Sequence, residues 1–283
     1  MKKILVGIDF LESSINALKH AISIANNAKC DVLMLWVHRP EYDREVFLFE
    51  PEKLPEIIRG KFEDLIREYQ PDLTGGKLEY KIREGKVYKE LCREAEESEA
   101  DMIIVGTHGS SGFEEFWIGS NANKIVSASS IPIITIRAGI DVKTPLSRIV
   151  IPIDSTIDTR QKVPFTSYLA KIHNAEIHIL AVYTTKIEEV RARVNRYAQQ
   201  VAEYLTDEGV RYTMSEADTE NIREATIEYA LKVKANLISI MTEQERTTAN
   251  LWLGPYAQQM VNHSPIPVLS IHPKELVRTA TGG

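Results

Sequence analysis

Residues 2–9 read KKILVGID, and residues 147–154 read SRIVIPID. Both are short apolar runs that end in an aspartate, 145 positions apart. Repeats decide an architecture before any local pattern does, and this echo continues along the chain. At the same offset, the run from Asp31 to Val37 matches that from Glu176 to Val182. At an offset of 135, Asp101–Gly106 matches Asn236–Met241, Trp117-Ile118-Gly119 matches Trp252-Leu253-Gly254, and Ile131-Pro132-Ile133 matches Ile266-Pro267-Val268. Order and spacing persist through five segments, which predicts a duplicated unit of about 140 residues. The expected units are 1–140 and 146–283, with the join near Gly139, Asp141 and Pro145. The fall in offset places extra residues in the first unit, expected between His38 and Pro55.

Within each unit, short Ile/Val/Leu runs alternate with longer stretches of helical period. Ile15, Leu18, Ile22 and Ala25 form one stripe, and Leu54, Ile58, Phe62, Leu65 and Tyr69 another. Val190, Val194, Tyr197, Val201 and Leu205 repeat the pattern in the second unit. These stripes are core packing. Ser13 or Ser14 is expected to cap the first helix, and Thr219 or Asn221 a later one. Strand–helix alternation predicts an α/β fold: two tandem, doubly wound, five-stranded parallel-sheet domains of Rossmann-like type. Such sheets take ligands beyond the carboxyl ends of their strands, where strand order reverses. That directs attention to Asp9, Val37, Gly85 and Gly106, and to Asp154, Val182, Ala217 and Met241 in the second unit.

The segment after the fourth strand carries the chemistry. It runs Gly106-Thr107-His108-Gly109, then nine residues, then Gly119-Ser120. Glycines let a backbone turn tightly and offer N–H groups to an anion. Gly119-Ser120 opens the next helix, whose free N–H groups and dipole favour phosphate. This loop, with Asp9 ending the first strand, resembles the ATP-binding universal stress proteins, and the resemblance spans both units. It implies an adenine nucleotide as ligand, ATP first, with magnesium. It implies that Asp9 and the backbone at Val37 meet the adenine and ribose. Gly106, Thr107, His108 and Gly109 would line the ribose and phosphate approach, and Gly119, Ser120, Asn121 and Ala122 would hold the phosphates. It also implies that two domains pair through their last strands, here within one chain as a pseudo-dimer, a homodimer of the chain being kept as a further assembly.

Two departures narrow this expectation. The loop holds Glu114 and Glu115 and no Lys or Arg between Thr107 and Asn123, although family members often carry basic residues there. In the second unit the equivalent positions are Met241, Gln244, Gly254 and Pro255, so the fold is expected to survive and nucleotide binding to be lost. His108 is the loop's titratable base and is read as shaping the loop rather than as a general base. No nucleophile–base–orienter set and no P-loop lysine is present. A regulatory nucleotide binder is therefore expected, with slow ATP hydrolysis, or an apolar lipid-like ligand in the second unit near Met241 and Trp252, as the alternatives.

Composition bounds the rest. The 283 residues are 43% hydrophobic and 26% charged, with a net charge of -6. That balance offers no basic coat for nucleic acid. The first apolar run stops at Asp9, too soon for a secretory leader, and no run approaches a membrane span, so a cytoplasmic protein without membrane or nucleic-acid partners is expected. Cys30 and Cys92 lie in apolar patterns without metal-ligand spacing and read as core residues.

Overall fold

The computed structural model describes residues 1–39, 54–107, 120–137, 139, 145–242 and 253–273. The first half contributes β1 (Lys3–Gly7), α1 (Glu12–Ala28), β2 (Asp31–His38), α2 (Leu54–Tyr69), β3 (Leu78–Glu84), α3 (Val87–Glu97), β4 (Met102–Gly106), α4 (Ser120–Ala128) and β5 (Ile133–Ile136). The second contributes β6 (Arg148–Ile153), α5 (Val163–His173), β7 (Glu176–Tyr183), α6 (Glu188–Asp207), β8 (Tyr212–Asp218), α7 (Ile222–Lys232), β9 (Leu237–Met241), α8 (Pro255–His263) and β10 (Val268–Ile271). Most of the extra residues expected in the first half (40–53), and most of the expected join, lie outside the described residues.

All ten strands form one sheet in the order β3-β2-β1-β4-β5-β10-β9-β6-β7-β8. Each half is a parallel five-stranded sheet. The halves meet at an antiparallel seam that pairs Val268 with Thr135, Leu269 with Ile134 and Ser270 with Ile133. The seam stands on a pseudo-twofold axis, so the duplication seen in the sequence is also a symmetry of the structure.

Alternation along each strand feeds two cores. In β1, Ile4 and Val6 join Leu18, Phe62, Leu169 and Val194 beneath α1, α2, α5 and α6. Leu5 faces the other way and joins Leu91, Ile125, Ala230 and Ala257 beneath α3, α4, α7 and α8. Both faces of the sheet are covered, as a parallel sheet requires. The helical stripes predicted from periodicity are the buried faces, with Ile58, Phe62, Leu65 and Tyr69 of α2 all buried.

The helix starts are less regular than expected. Leu11, not a serine, stands at the N-cap of α1. Ser14 Oγ instead donates to Leu11 O at 2.9 Å and accepts from Asp9 N–H at 3.3 Å, tying the strand end to the helix start. Asn221 does cap α7, its Oδ1 accepting from Glu224 N–H at 3.2 Å. Cys30 is buried and Cys92 partly so; burial raises both thiols to about 11, which keeps them protonated at neutral pH.

Candidate functional site

In the first half, strand order reverses between β1 and β4. Their helices leave to opposite faces, so a crevice opens above the carboxyl ends. β1 stops pairing at Gly7, opposite Leu35 of β2 and Val105 of β4. Ile8 N–H still reaches Leu35 O at 2.8 Å, which shows that Leu35 turns its backbone groups toward β1. His38 O, by contrast, accepts from Gly85 N–H on the β3 side at 2.9 Å. By alternation, Val37 points its N–H and C=O toward β1, just where β1 has left the sheet. A backbone donor and acceptor therefore face the crevice, the pair a planar heterocycle can read.

Asp9 turns the chain away from the strand. Its Oδ1 accepts from Leu11 N–H at 3.0 Å, and Phe10 takes a left-handed φ of 64°. The Phe10 ring meets Phe62 edge-on at 5.0 Å, and Phe62 stacks on Tyr80 at 4.6 Å. Lys61 Nζ lies 5.1 Å from the Phe10 ring centroid. The loop itself carries no Lys or Arg; this cation arrives from α2, and only tertiary packing brings it beside the Asp9 turn.

Gly106 ends β4 against the first turn of α1. A Cβ there would stand 2.6 Å from the Ser13 carbonyl carbon and 2.8 Å from Ser13 O. No side chain fits without moving backbone. Thr107 follows, buried, with its N–H on Ile136 O at 2.9 Å. Ala122 is buried in the same cluster as Val37 and Val105. Asp9, Val37, Gly106 and Thr107 thus gather at the carboxyl ends of β1, β2 and β4, with Ala122 on the helix beyond. Ser120 and Asn121 open α4. His108, Gly109 and Gly119 lie outside the described residues, as do Glu114 and Glu115.

The second half repeats the frame and changes its filling. Asp154 keeps the Asp9 geometry: Oδ1 accepts from Thr156 N–H at 2.8 Å, and Asp154 N–H reaches Thr159 Oγ1 at 3.3 Å. Pro152 stands where Gly7 stands, however, and although β6 stays paired with β7 through Ile153, proline has no N–H to offer on the β9 side. β6 pairs with β9 at only two positions, Ile149–Leu237 and Val150–Ile238, against four for β1 and β4. The helix start is also displaced. A 3-10 turn at Ile157–Arg160 takes the place of the first turn of α1, and α5 begins at Val163 with Pro164 behind it. Met241, buried in the second half, stands where Gly106 admits no side chain.

Lys162 was not singled out in the sequence, where it looks like an ordinary surface lysine. It is 2% exposed. Its ammonium donates to Thr159 O at 2.5 Å, with Thr159 Oγ1 at 3.2 Å. Burial lowers its pKa to about 8, partly countered by the Asp154 carboxylate. The repeat offset carried the signal, since 145 positions earlier stands Ala17, a core residue. Thr166 and Ser239, hydrogen-bonded at 2.7 Å, extend this polar interior. Among the described residues, no group of three or more His, Cys, Asp or Glu side chains could hold a metal ion, and no helix is long and apolar enough to cross a membrane.

Comparison with known proteins agrees with this architecture. Two universal stress proteins of Methanocaldococcus jannaschii are 27% identical over 143 residues and 28% identical over 155 residues. Each alignment covers 48% of this chain, and they cover 82% and 94% of the two relatives, so each relative matches one half. The crystal structure of a universal stress protein from Archaeoglobus fulgidus shares the fold of the whole chain. Its TM-score is 0.74 at 18% identity, covering 95% of this chain and 98% of that one. The model of the universal stress protein family matches twice, at residues 1–137 and 145–272. The chain belongs to the universal stress protein family, as a tandem of two such domains.

Proposed function

We propose that the chain is a regulatory protein that binds one adenine nucleotide, ATP or a close relative, in its first half. The observation that carries this reading is the crevice above β1. Val37 turns its backbone pair into it, Asp9 stands at its mouth, and Gly106 lies too close to α1 to carry a side chain. In this reading Asp9 and Val37 hold the adenine and ribose. Gly106, Thr107, His108 and Gly109 line the path to the phosphates, and Gly119, Ser120, Asn121 and Ala122 receive them at the start of α4 with a magnesium ion. The free N–H groups of a helix start suit that task. The second half, with Met241, Pro152 and Lys162 in the corresponding places, serves as a fixed structural partner.

Binding of ATP with magnesium, followed by calorimetry on the full chain, tests the proposal. One nucleotide per chain is expected, and Gly106→Ala should abolish it. Two per chain would refute the one-site reading, and none would refute the nucleotide reading. Fast hydrolysis dependent on Gly109 and Gly119 would replace regulation by catalysis.

A second reading has one observation in its favour. Ile157 and Ile187 follow the carboxyl ends of β6 and β7 and are 62% and 60% exposed, so large apolar side chains meet solvent after both strands. A retained apolar molecule in native mass spectra of the purified chain would support a ligand there.

A further inference from the structure

The last strands of both halves send a side chain across the seam. At the end of β5, Arg137 Nη1 donates to His263 O, at the C-terminus of α8, at 3.4 Å. At the end of β10, His272 does the reciprocal thing, and does it more tightly. Its Nε2 donates to Val126 O of α4, and its Nδ1 lies 2.6 Å from Thr242 Oγ1.

The chemistry fixes the protons. A carbonyl only accepts, so Nε2 carries hydrogen. Burial disfavours the imidazolium and lowers the His272 pKa. In the neutral ring Nδ1 is then the acceptor, and the Thr242 hydroxyl donates to it. Thr242 Oγ1 is also 3.4 Å from Ile271 O, an alternative acceptor for the same hydrogen. Val126 O is not an arbitrary target. Ser129 N–H closes α4 onto Ile125 O at 3.0 Å, and the next carbonyl along the helix is the one His272 takes. The last turn of a helix leaves such carbonyls without intrahelical donors. Val126 and Thr242 are both buried. α4 is also the helix whose first residues, Ser120 to Ala122, lie at the proposed phosphate site. Thr242 stands at the foot of 243–252, the second half's counterpart of the nucleotide loop.

We propose that His272 is a positioning residue for the first half's site: the second half holds α4 in place through the chain Thr242–His272–Val126. The inference rests on the nucleotide reading for its consequence, but not for its geometry. The second half is therefore more than a spacer, because whatever shifts Thr242 is felt at the helix that receives phosphate. Of the two contacts across the seam, the one from His272 to α4 is the shorter, the Arg137–His263 contact being 3.4 Å.

Amide hydrogen exchange on the full chain, read per helix, tests the clamp without any ligand. His272→Ala should speed exchange in α4 by about 3- to 10-fold, the worth of one lost hydrogen bond, and leave α3 and α7 unchanged. Thr242→Val, which keeps shape and removes the hydroxyl, should have a smaller effect of the same sign and guards against misfolding of the alanine variant. His272→Gln can donate to Val126 O and accept from Thr242, so it should restore protection. Parallel titration with ATP and magnesium should show a similar loss of affinity in His272→Ala and recovery in His272→Gln. Unaltered α4 exchange overturns the clamp, as does equal loosening of every helix. Loosened α4 with unaltered ATP affinity overturns the link to the site. If the unsubstituted chain binds no ATP, the nucleotide reading fails, and the exchange data still decide the clamp.

Discussion

Lys162 shows how far a single residue can depart from its repeat. An ammonium in the place of Ala17 rests on Thr159, while Thr166 donates to the Lys162 backbone carbonyl and bonds Ser239. Its folded pKa of about 8 lies below its ordinary 10.5. Between those values the folded state binds fewer protons than the unfolded chain, so stability rises with pH across that window, and the cost of burial is fully present below pH 8. Lys162→Met should therefore stabilise the protein at pH 7, by on the order of 1–3 kcal/mol once the lost Thr159 bonds are offset. It should also flatten stability between pH 8 and 10; urea unfolding at pH 7 and pH 9.5 checks both. His20 of α1 and His173 of α5 make the acid-side counterpart. Burial lowers each from 6.5 to about 4, with the neighbouring His173 adding to the effect on His20. Their Nε2 atoms are buried without partners among the described residues. The unfolded chain takes up protons from pH 6.5 downward that the folded chain refuses, so stability is full above pH 6.5 and falls toward pH 4. His20→Gln should reduce that fall by up to about 3 kcal/mol, read from thermal unfolding at pH 7 and pH 4.5. Neither histidine was visible as special from type or pattern, and Lys162 only through its repeat counterpart Ala17. Burial decides them, and burial is a tertiary fact.

At the level of elements, much was legible. The strands are short apolar runs, and the helices expose their buried faces as periodic stripes, so both could be read without a structure. Asn221 announced its helix because an N-cap needs an acceptor two or three residues ahead of a donor. The start of α1 was not legible, because Phe10 enters a left-handed conformation and moves the cap to Leu11. Nor was the late start of α5. Pro164 is well placed in a first turn and gave no warning that the turn before it would be 3-10. Of the candidate site, Asp9, Val37 and Gly106 were found from the strand-end rule, whereas Phe10 and Lys61 joined it only through packing. Gly106 also gives the sharpest test of local geometry. A Cβ 2.6 Å from Ser13 backbone cannot be relieved by a rotamer change. Gly106→Ala should cost about 1–3 kcal/mol, with α1 displaced from β4. The same substitution tests nucleotide binding, so denaturant midpoints must accompany the titration. The paired helices α3 and α7 show how one frame takes different chemistry. Glu94 is buried with Lys81 at 2.8 Å and Arg83 at 2.5 Å. In the corresponding place, Tyr229 meets Ser215 at 2.9 Å and His178 at 3.3 Å.

For the whole molecule, the duplication was legible because two copies constrain each other's alignment; a shared offset turned weak runs into strong evidence. The seam itself came from resemblance rather than from residues, since Ile133–Ile136 and Val268–Ile271 carry no mark of antiparallel pairing. The seam predicts the behaviour of a separated half. Residues 1–140 alone would expose the β5 edge and the faces of α1 and α4 that lie against the second half. Unpaired edges seek partners. The separated half should self-associate, most simply through an antiparallel β5–β5 pair about a true twofold axis, and sedimentation should report a dimer; a stable monomer would contradict this. The natural seam differs from that dimer in one respect. In a symmetric pair every mutation is made twice, once in each copy, and a change that one site tolerates must be tolerated by both. Joining β5 to β10 within one chain ends that doubling. Proline at 152, lysine at 162 and methionine at 241 each occur once, so one half can abandon a ligand while the other is free to keep it.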